Sequence, residues 1–239
     1  LTSFAAPGDA VLLHSPTYIG FTMCIENNGY KIVHSPLVKD ENGVWRMDFE
    51  DMEKHLKEEK IHAAIMCNPH NPSGRVWTPD ELRRIGEICL RHDLFIIADE
   101  IHCELVMPGF RYTPFASLDE RFRQHSVTCT SPSKAFNLAG LQVANIFAAD
   151  PDTRGRIVRA LEINETGMIS PFAIEALMAA YNEGDAWLDA LNEYLWGNYV
   201  ELRDHFAARL PQFPVLPLEG TYLVWIDCRA AGPRSAGVV

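Results

Sequence analysis

Paired cysteines are missing from this chain. Its six cysteines (Cys24, Cys67, Cys89, Cys103, Cys129 and Cys228) contain no CxxC pair and no metal-ligand spacing, which argues against a disulfide framework or a metal site. Cys67 and Cys129 sit in apolar runs, where a reduced cysteine behaves as a small hydrophobe. The reading is therefore free thiols in a reducing cytoplasm. Positive charge is also scarce. Lys and Arg number 21 against 32 Asp and Glu, a formal net charge of -11. No basic cluster or stripe interleaved with aromatics appears, which speaks against a nucleic-acid partner. No run reaches the ~18 apolar residues of a membrane span. No secretion signal is visible, and a chain opening at Leu1 is expected to have its natural start upstream. Internal repeats and low-complexity stretches are absent as well.

What is present is an ordinary globular composition, 47% hydrophobic and 22% charged over 239 residues, enough to bury a full core. Short β-branched apolar runs recur at Val11–Leu13, Lys31–Val33, Ala63–Cys67, Leu94–Ala98, Val127–Cys129 and Val143–Ala148. Such runs, without alternation, predict strands buried on both faces. Helical patterns separate them. Thr78 to His92 opens with a capping threonine, a proline and two acids, then places Leu82, Ile85, Ile88 and Cys89 on one face. Asp48 to Lys60 does the same with Phe49, Met52 and Leu56. Alternation of strand and helix predicts an α/β fold with a mostly parallel central sheet and flanking helices.

The pattern changes after Ala148. Helices are predicted over Asp150–Ile163, Pro171–Tyr181 and Asp185–Leu210, the last carrying Trp187, Leu188, Leu191, Leu195 and Tyr199 at helical spacing. A strand is predicted at Thr221–Ile226, after Glu219-Gly220. Residues 1–184 read as one large domain and 185–239 as a long helix opening a smaller α+β domain. The last residues, Gly232 to Val239, read as a disordered end.

In parallel sheets, ligands sit beyond the carboxyl ends of the strands. Three polar signatures fall at such ends: Asn68-Pro69-His70-Asn71-Pro72-Ser73-Gly74, Ala98-Asp99-Glu100-Ile101-His102 and Ser131-Pro132-Ser133-Lys134. An amide, an acid and a lysine so placed are what holds pyridoxal phosphate. Lys134 supplies the amine that forms a Schiff base, Asp99 a carboxylate for the pyridinium nitrogen and Asn71 an amide for the ring oxygen. Glu100 is expected to point the other way and to be structural. Taken alone, each of these residues is ordinary: a surface lysine, a cap, a turn asparagine. Their conjunction carries the inference. Ser131 and Ser133 offer hydroxyls to a phosphate, Tyr18 an aromatic face for a flat ring, and His102 a second donor to the ring oxygen.

Together these motifs resemble the class I/II aminotransferase branch of the aspartate-aminotransferase superfamily. Within it the chain resembles most the C–S β-lyases of the cystathionine β-lyase type, through Arg75-Val76-Trp77, Asp99-Glu100-Ile101-His102, Phe136-Asn137 and Trp187-Leu188. The resemblance implies that Lys134 is the Schiff-base lysine and proton carrier, with Asp99, Asn71, Tyr18, His102, Ser131 and Ser133 around the cofactor. It also implies a homodimer acting on an amino acid. A phosphate-binding loop would lie upstream of Leu1, and a substrate-carboxylate arginine beyond Val239. Gln142 departs from the pattern, standing where aminotransferases often carry a phosphate-binding arginine. The expected activity is cleavage of L-cystathionine or related cysteine S-conjugates. The alternatives are an aminotransferase and a cofactor-sensing regulatory domain.

Overall fold

The computed structural model describes residues 1–232. Eight strands follow one another along the chain: β1 (Ala10–Ser15), β2 (Lys31–Pro36), β3 (Val38–Lys39), β4 (Trp45–Arg46), β5 (Ile61–Cys67), β6 (Phe95–Asp99), β7 (Ser126–Thr130) and β8 (Asn145–Phe147). Six of them form one sheet in the order β2-β1-β5-β6-β7-β8, and β3 with β4 makes a separate antiparallel pair. The pairings from β2 through β7 are parallel. Only β8 runs against its neighbour. The mostly parallel α/β sheet expected from the sequence is thus the sheet observed.

Burial follows strand position. Val11, Leu12 and Leu13 in β1 are fully buried, and β5 is buried over almost its whole length. The edge strands behave differently: β2 alternates exposed and buried residues and ends in Pro36, as an edge strand permits. The expectation of strands buried on both faces fails at β8, where Ile146 and Phe147 are exposed. An edge strand has neighbours on one side only, and the apolar run Val143–Ala148 did not reveal that.

Seven helices, α1 (Ile19–Asn27), α2 (Phe49–Glu58), α3 (Pro79–Arg91), α4 (Glu120–Gln124), α5 (Pro151–Ile163), α6 (Pro171–Glu183) and α7 (Asp185–Arg209), complete the described fold. The start of α3 is fixed by a capping box: Thr78 Oγ1 accepts from the Glu81 amide at 3.2 Å, and Glu81 Oε2 accepts from the Thr78 amide at 2.9 Å. Asp48 caps α2 and Asp150 caps α5 with the aspartate side chain alone, which accepts from first-turn amides. Leu82, Ile85 and Ile88 of α3 and Met52 of α2 join Leu12, Met66 and Ile96 in the main core. Val11, Leu13, Ile25, Tyr30 and Ile65 form a smaller core with α1 on the other face. At ~1.5–3 kcal/mol per fully buried large apolar side chain, these two layers fix the sheet on which the candidate site rests.

One expected strand is absent, one helix carries no clear sequence signal, and one apolar stripe is partly open. Thr221–Ile226 forms no strand. It makes a single isolated bridge, Val215 to Ile226, and Thr221 itself has a left-handed backbone with φ of 68°, which interrupts an extended ladder. Helix α1 went unread because Ile19, Phe21, Met23 and Ile25 leave no clear polar face and Tyr18 offers no side-chain cap. The apolar stripe of α7 is only partly covered: Tyr199 is buried, whereas Trp187 is 57% exposed. The expectation for the chain end falls at 233–239, outside the described residues.

Candidate active site

The parallel pairing of β5, β6 and β7 brings their carboxyl ends to one rim. In register across it stand Cys67, Asp99 and Cys129. Partners in register point to the same face of a sheet, so two thiols flank the Asp99 carboxyl. Cys67 Sγ donates to the Pro69 carbonyl at 3.2 Å. Burial pushes the Cys129 thiol up to about 11, which leaves it neutral beside the acid.

The loop after β5 is tightly held. The Asn68 amide donates to the Asp99 carbonyl at 2.9 Å, and Asn68 Oδ1 accepts from the Trp77 amide at 3.1 Å. Trp77 Nε1 donates to the Cys67 carbonyl at 2.8 Å. His70 Nδ1 lies 2.7 Å from Ser73 Oγ. Gly74 closes the turn with φ of 72°, a conformation that glycine adopts without strain. Asn71 sits half-buried at the tip of this braced loop.

After β6, Asp99 accepts from the Ile101 amide at 3.1 Å. Burial raises its carboxyl above the ordinary range, against the pull of that amide and of the Lys134 charge. Glu100 is structural, as expected: it accepts from the Phe115 amide at 2.8 Å and from the Tyr112 hydroxyl. His102 is buried, and its Nδ1 has no hydrogen-bond partner among the described residues. Burial, then the Lys134 charge, pushes its imidazole down to about 4. The ring is therefore neutral at neutral pH and packs edge-on against Tyr222, with centroids 5.6 Å apart.

After β7, the chain turns through Pro132–Ala135 and presents Lys134 half-buried. The Phe136 amide closes the turn on the Pro132 carbonyl at 2.9 Å, and the Leu138 amide reaches the Ser133 carbonyl at 3.2 Å. The two serines expected near a phosphate differ. Ser131 Oγ donates to the Val143 carbonyl at 2.6 Å and accepts from the Ser133 amide at 3.1 Å, so its hydroxyl braces the turn. Ser133 makes no side-chain hydrogen bond among the described residues. Gln142 is exposed and left-handed, with φ of 54°.

The fold thus brings Asp99, His102 and Lys134 together, with Asn71 on the adjacent loop and Ser133 beside the lysine. Tyr18 lies farther along the same rim, after β1, which β5 separates from β6. It is 46% exposed and meets Phe21 edge-on at 5.5 Å. Its ring lies over the first turn of α1 because residue 20 is glycine; a Cβ there would stand 2.3 Å from Tyr18 Cε1.

The sequence reading missed Glu219 and Tyr222. Glu219 Oε2 accepts from Arg75 Nε at 2.8 Å and from the Val76 amide at 2.9 Å. Tyr222 is the aromatic neighbour of His102. Locally, Glu219-Gly220 marks only the residues before the strand expected at Thr221–Ile226. A pair separated by 144 residues along the chain leaves no local pattern.

Comparison with known proteins finds matches in both sequence and structure. A sequence model of the family "Aminotransferase class I and II" matches residues 1–236. Cystathionine beta-lyase PatB of Bacillus subtilis is 40% identical over 98% of the chain, and Protein MalY of Escherichia coli is 32% identical over 96%. The chain spans 60% and 58% of the lengths of these two relatives. Among solved structures, cystalysin from Treponema denticola, which contains a pyridoxal 5′-phosphate cofactor, superposes with a TM-score of 0.93 and 38% identity. That match covers 96% of this chain and 58% of cystalysin. The chain belongs to the class I and II aminotransferase family.

Proposed function

We propose that the chain carries the cofactor site of a pyridoxal-5′-phosphate-dependent carbon–sulfur β-lyase, which cleaves L-cystathionine or related cysteine S-conjugates to a thiol, pyruvate and ammonia. The observation that carries the reading is the meeting of Asp99, His102 and Lys134 at one rim, beside the loop that bears Asn71. The residues fit the cofactor. A buried carboxyl raised by desolvation gains from a cationic ring nitrogen. The unpartnered Nδ1 of buried His102 and the Asn71 amide suit a ring oxygen. When bound, pyridoxal phosphate supplies a ring that delocalises the electron pair left on a substrate carbon.

The chain's own residues do the rest. Asp99 keeps the proton on the ring nitrogen, and neutral His102 offers a hydrogen bond without adding a second positive charge beside Lys134. Lys134 Nζ would hold the cofactor, and its free amine would take the proton from the substrate Cα. With sulfur on Cβ, the Cα–H electron pair becomes a carbon–carbon double bond while the Cβ–S pair departs with sulfur as a thiolate. Water then releases pyruvate and ammonia from the three-carbon remainder. The 40% identity to a protein named cystathionine beta-lyase supports β-elimination. The family name favours a second reading, amino transfer to a keto acid through the same Lys134.

The proposal extends to a cytoplasmic homodimer in which residues from 185 onward begin a smaller domain. All six cysteines are unpaired, as a reducing compartment allows, and no helix among the described residues is long and apolar enough to cross a membrane. Apart from Met107, the third apolar cluster draws on residues after 185, with Leu195, Trp196, Val200, Val215 and Val224 packed around Tyr199 and Leu218, which supports the division. The test is pyruvate release from L-cystathionine by the full-length protein with added pyridoxal phosphate and no keto acid. Pyruvate is the expected product. Amino transfer without pyruvate, once a keto acid is supplied, would replace the lyase reading.

A further inference from the structure

A buried ion pair outside the rim ties two of its loops together. Arg75 is 3% exposed, and a buried guanidinium must be compensated on every side. Its Nη2 lies 2.8 Å from Glu81 Oε2 and its Nε 2.8 Å from Glu219 Oε2. Nη1 reaches the Trp45 carbonyl, and the cation lies 4.8 Å from the Trp77 ring centre. The charges continue outward in alternation: Glu81 also meets Arg46, which meets Asp40. Glu219 is the inner end of this chain, and it lies in a strap, 218–222, remote in sequence from everything it touches.

That strap is stitched to both loops of the rim. On the loop of Asn71, the Gly74 carbonyl accepts from the amides of Glu219 and Gly220, each at 2.9 Å. On the loop of His102, the Leu105 carbonyl accepts from the Thr221 amide at 2.8 Å, and the Met107 amide donates to the Glu219 carbonyl at 2.9 Å. Between the two loops Gly220 leaves no room for a side chain: a Cβ would stand 2.8 Å from Val76 Cγ2, 3.0 Å from the Leu105 carbonyl oxygen and 3.0 Å from Pro69 Cβ. Two residues farther on, Tyr222 sets its ring against His102.

We propose that Glu219 is a positioning residue of the cofactor site: by anchoring Arg75 and the Val76 amide it seats the strap that fixes the Asn71 loop, the His102 loop and the Tyr222 ring relative to one another. Outer partners that orient the ligands of a metal typically matter about 10- to 100-fold when removed, and an effect of that size is expected here because small misplacements at a reacting centre are expensive. The inference rests on the proposed cofactor reading and adds a residue that touches neither cofactor nor substrate.

The test uses the full-length protein and reads cofactor binding. Glu219→Gln keeps an acceptor for the Val76 amide and leaves Arg75 paired with Glu81, so the fold is expected to persist. The expected result is a pyridoxal-phosphate Kd raised about 10- to 100-fold and a shifted visible absorbance maximum of the bound cofactor. Tyr222→Ala removes a side chain that is 40% exposed, and it is expected to shift the same maximum. If Glu219→Gln does not fold, Tyr222→Ala decides. Wild-type Kd and absorbance maximum in every folded variant, whatever the Tm, would overturn the inference. Failure of the wild-type protein to take up pyridoxal phosphate would instead sink the cofactor reading, and this inference with it.

Discussion

Lys134 is defined by its neighbours more than by its own environment. Its charge lowers the Asp99 carboxyl against burial and helps hold His102 neutral. Lys134→Ala is expected to abolish both turnover and the visible absorbance of the bound cofactor, read by spectrophotometry and the pyruvate assay. Asp99→Asn should bind pyridoxal phosphate but lose about 100- to 1,000-fold in kcat, the size of effect seen when one preorganised electrostatic partner is removed. A different histidine gives a pH signature. Burial pushes His14 from 6.5 down to about 4, so between those values the unfolded chain binds a proton that the folded chain refuses. Stability contributed by neutral His14 is therefore full above pH 6.5 and lost as pH falls towards 4. His14→Leu removes the penalty while filling similar space. Its Tm should rise relative to wild type as pH drops from 7 to 5; parallel Tm curves would contradict the assignment.

At the scale of elements, α3 is where sequence and structure agree best. Thr78, Pro79 and Glu81 announce its start, and the observed capping box uses them as read. Thr78→Ala should cost about 1 kcal/mol, measured by urea unfolding. Gly86→Ala should cost about 1–3 kcal/mol despite alanine's better helix propensity. The added Cβ would stand 2.6 Å from the Phe122 ring, which is buried and stacked on Phe115. A stabilised Gly86→Ala variant would show that the core there is softer than its geometry implies. Helices with one apolar face and a polar start were legible; α1, with neither, was not. Strands were legible as runs, but edge status depends on the order β2-β1-β5-β6-β7-β8, a long-range property that exposes Ile146 and Phe147 without any local mark.

At the scale of the whole molecule, the rim was legible because each of its signatures, at Asn71, Asp99 and Lys134, stands at or just beyond the end of a strand, and parallel strands carry their ends to one side. The strap was not legible. Glu219 and Arg75 meet only after the chain has returned across the sheet, and hydrophobic periodicity does not record such a meeting. The account stands on Lys134 as the cofactor lysine. The most direct measurement is borohydride reduction of the full-length protein with pyridoxal phosphate, followed by peptide mass mapping. A single pyridoxyl group on Lys134 is predicted. A label on another lysine, or none at all, would contradict the account.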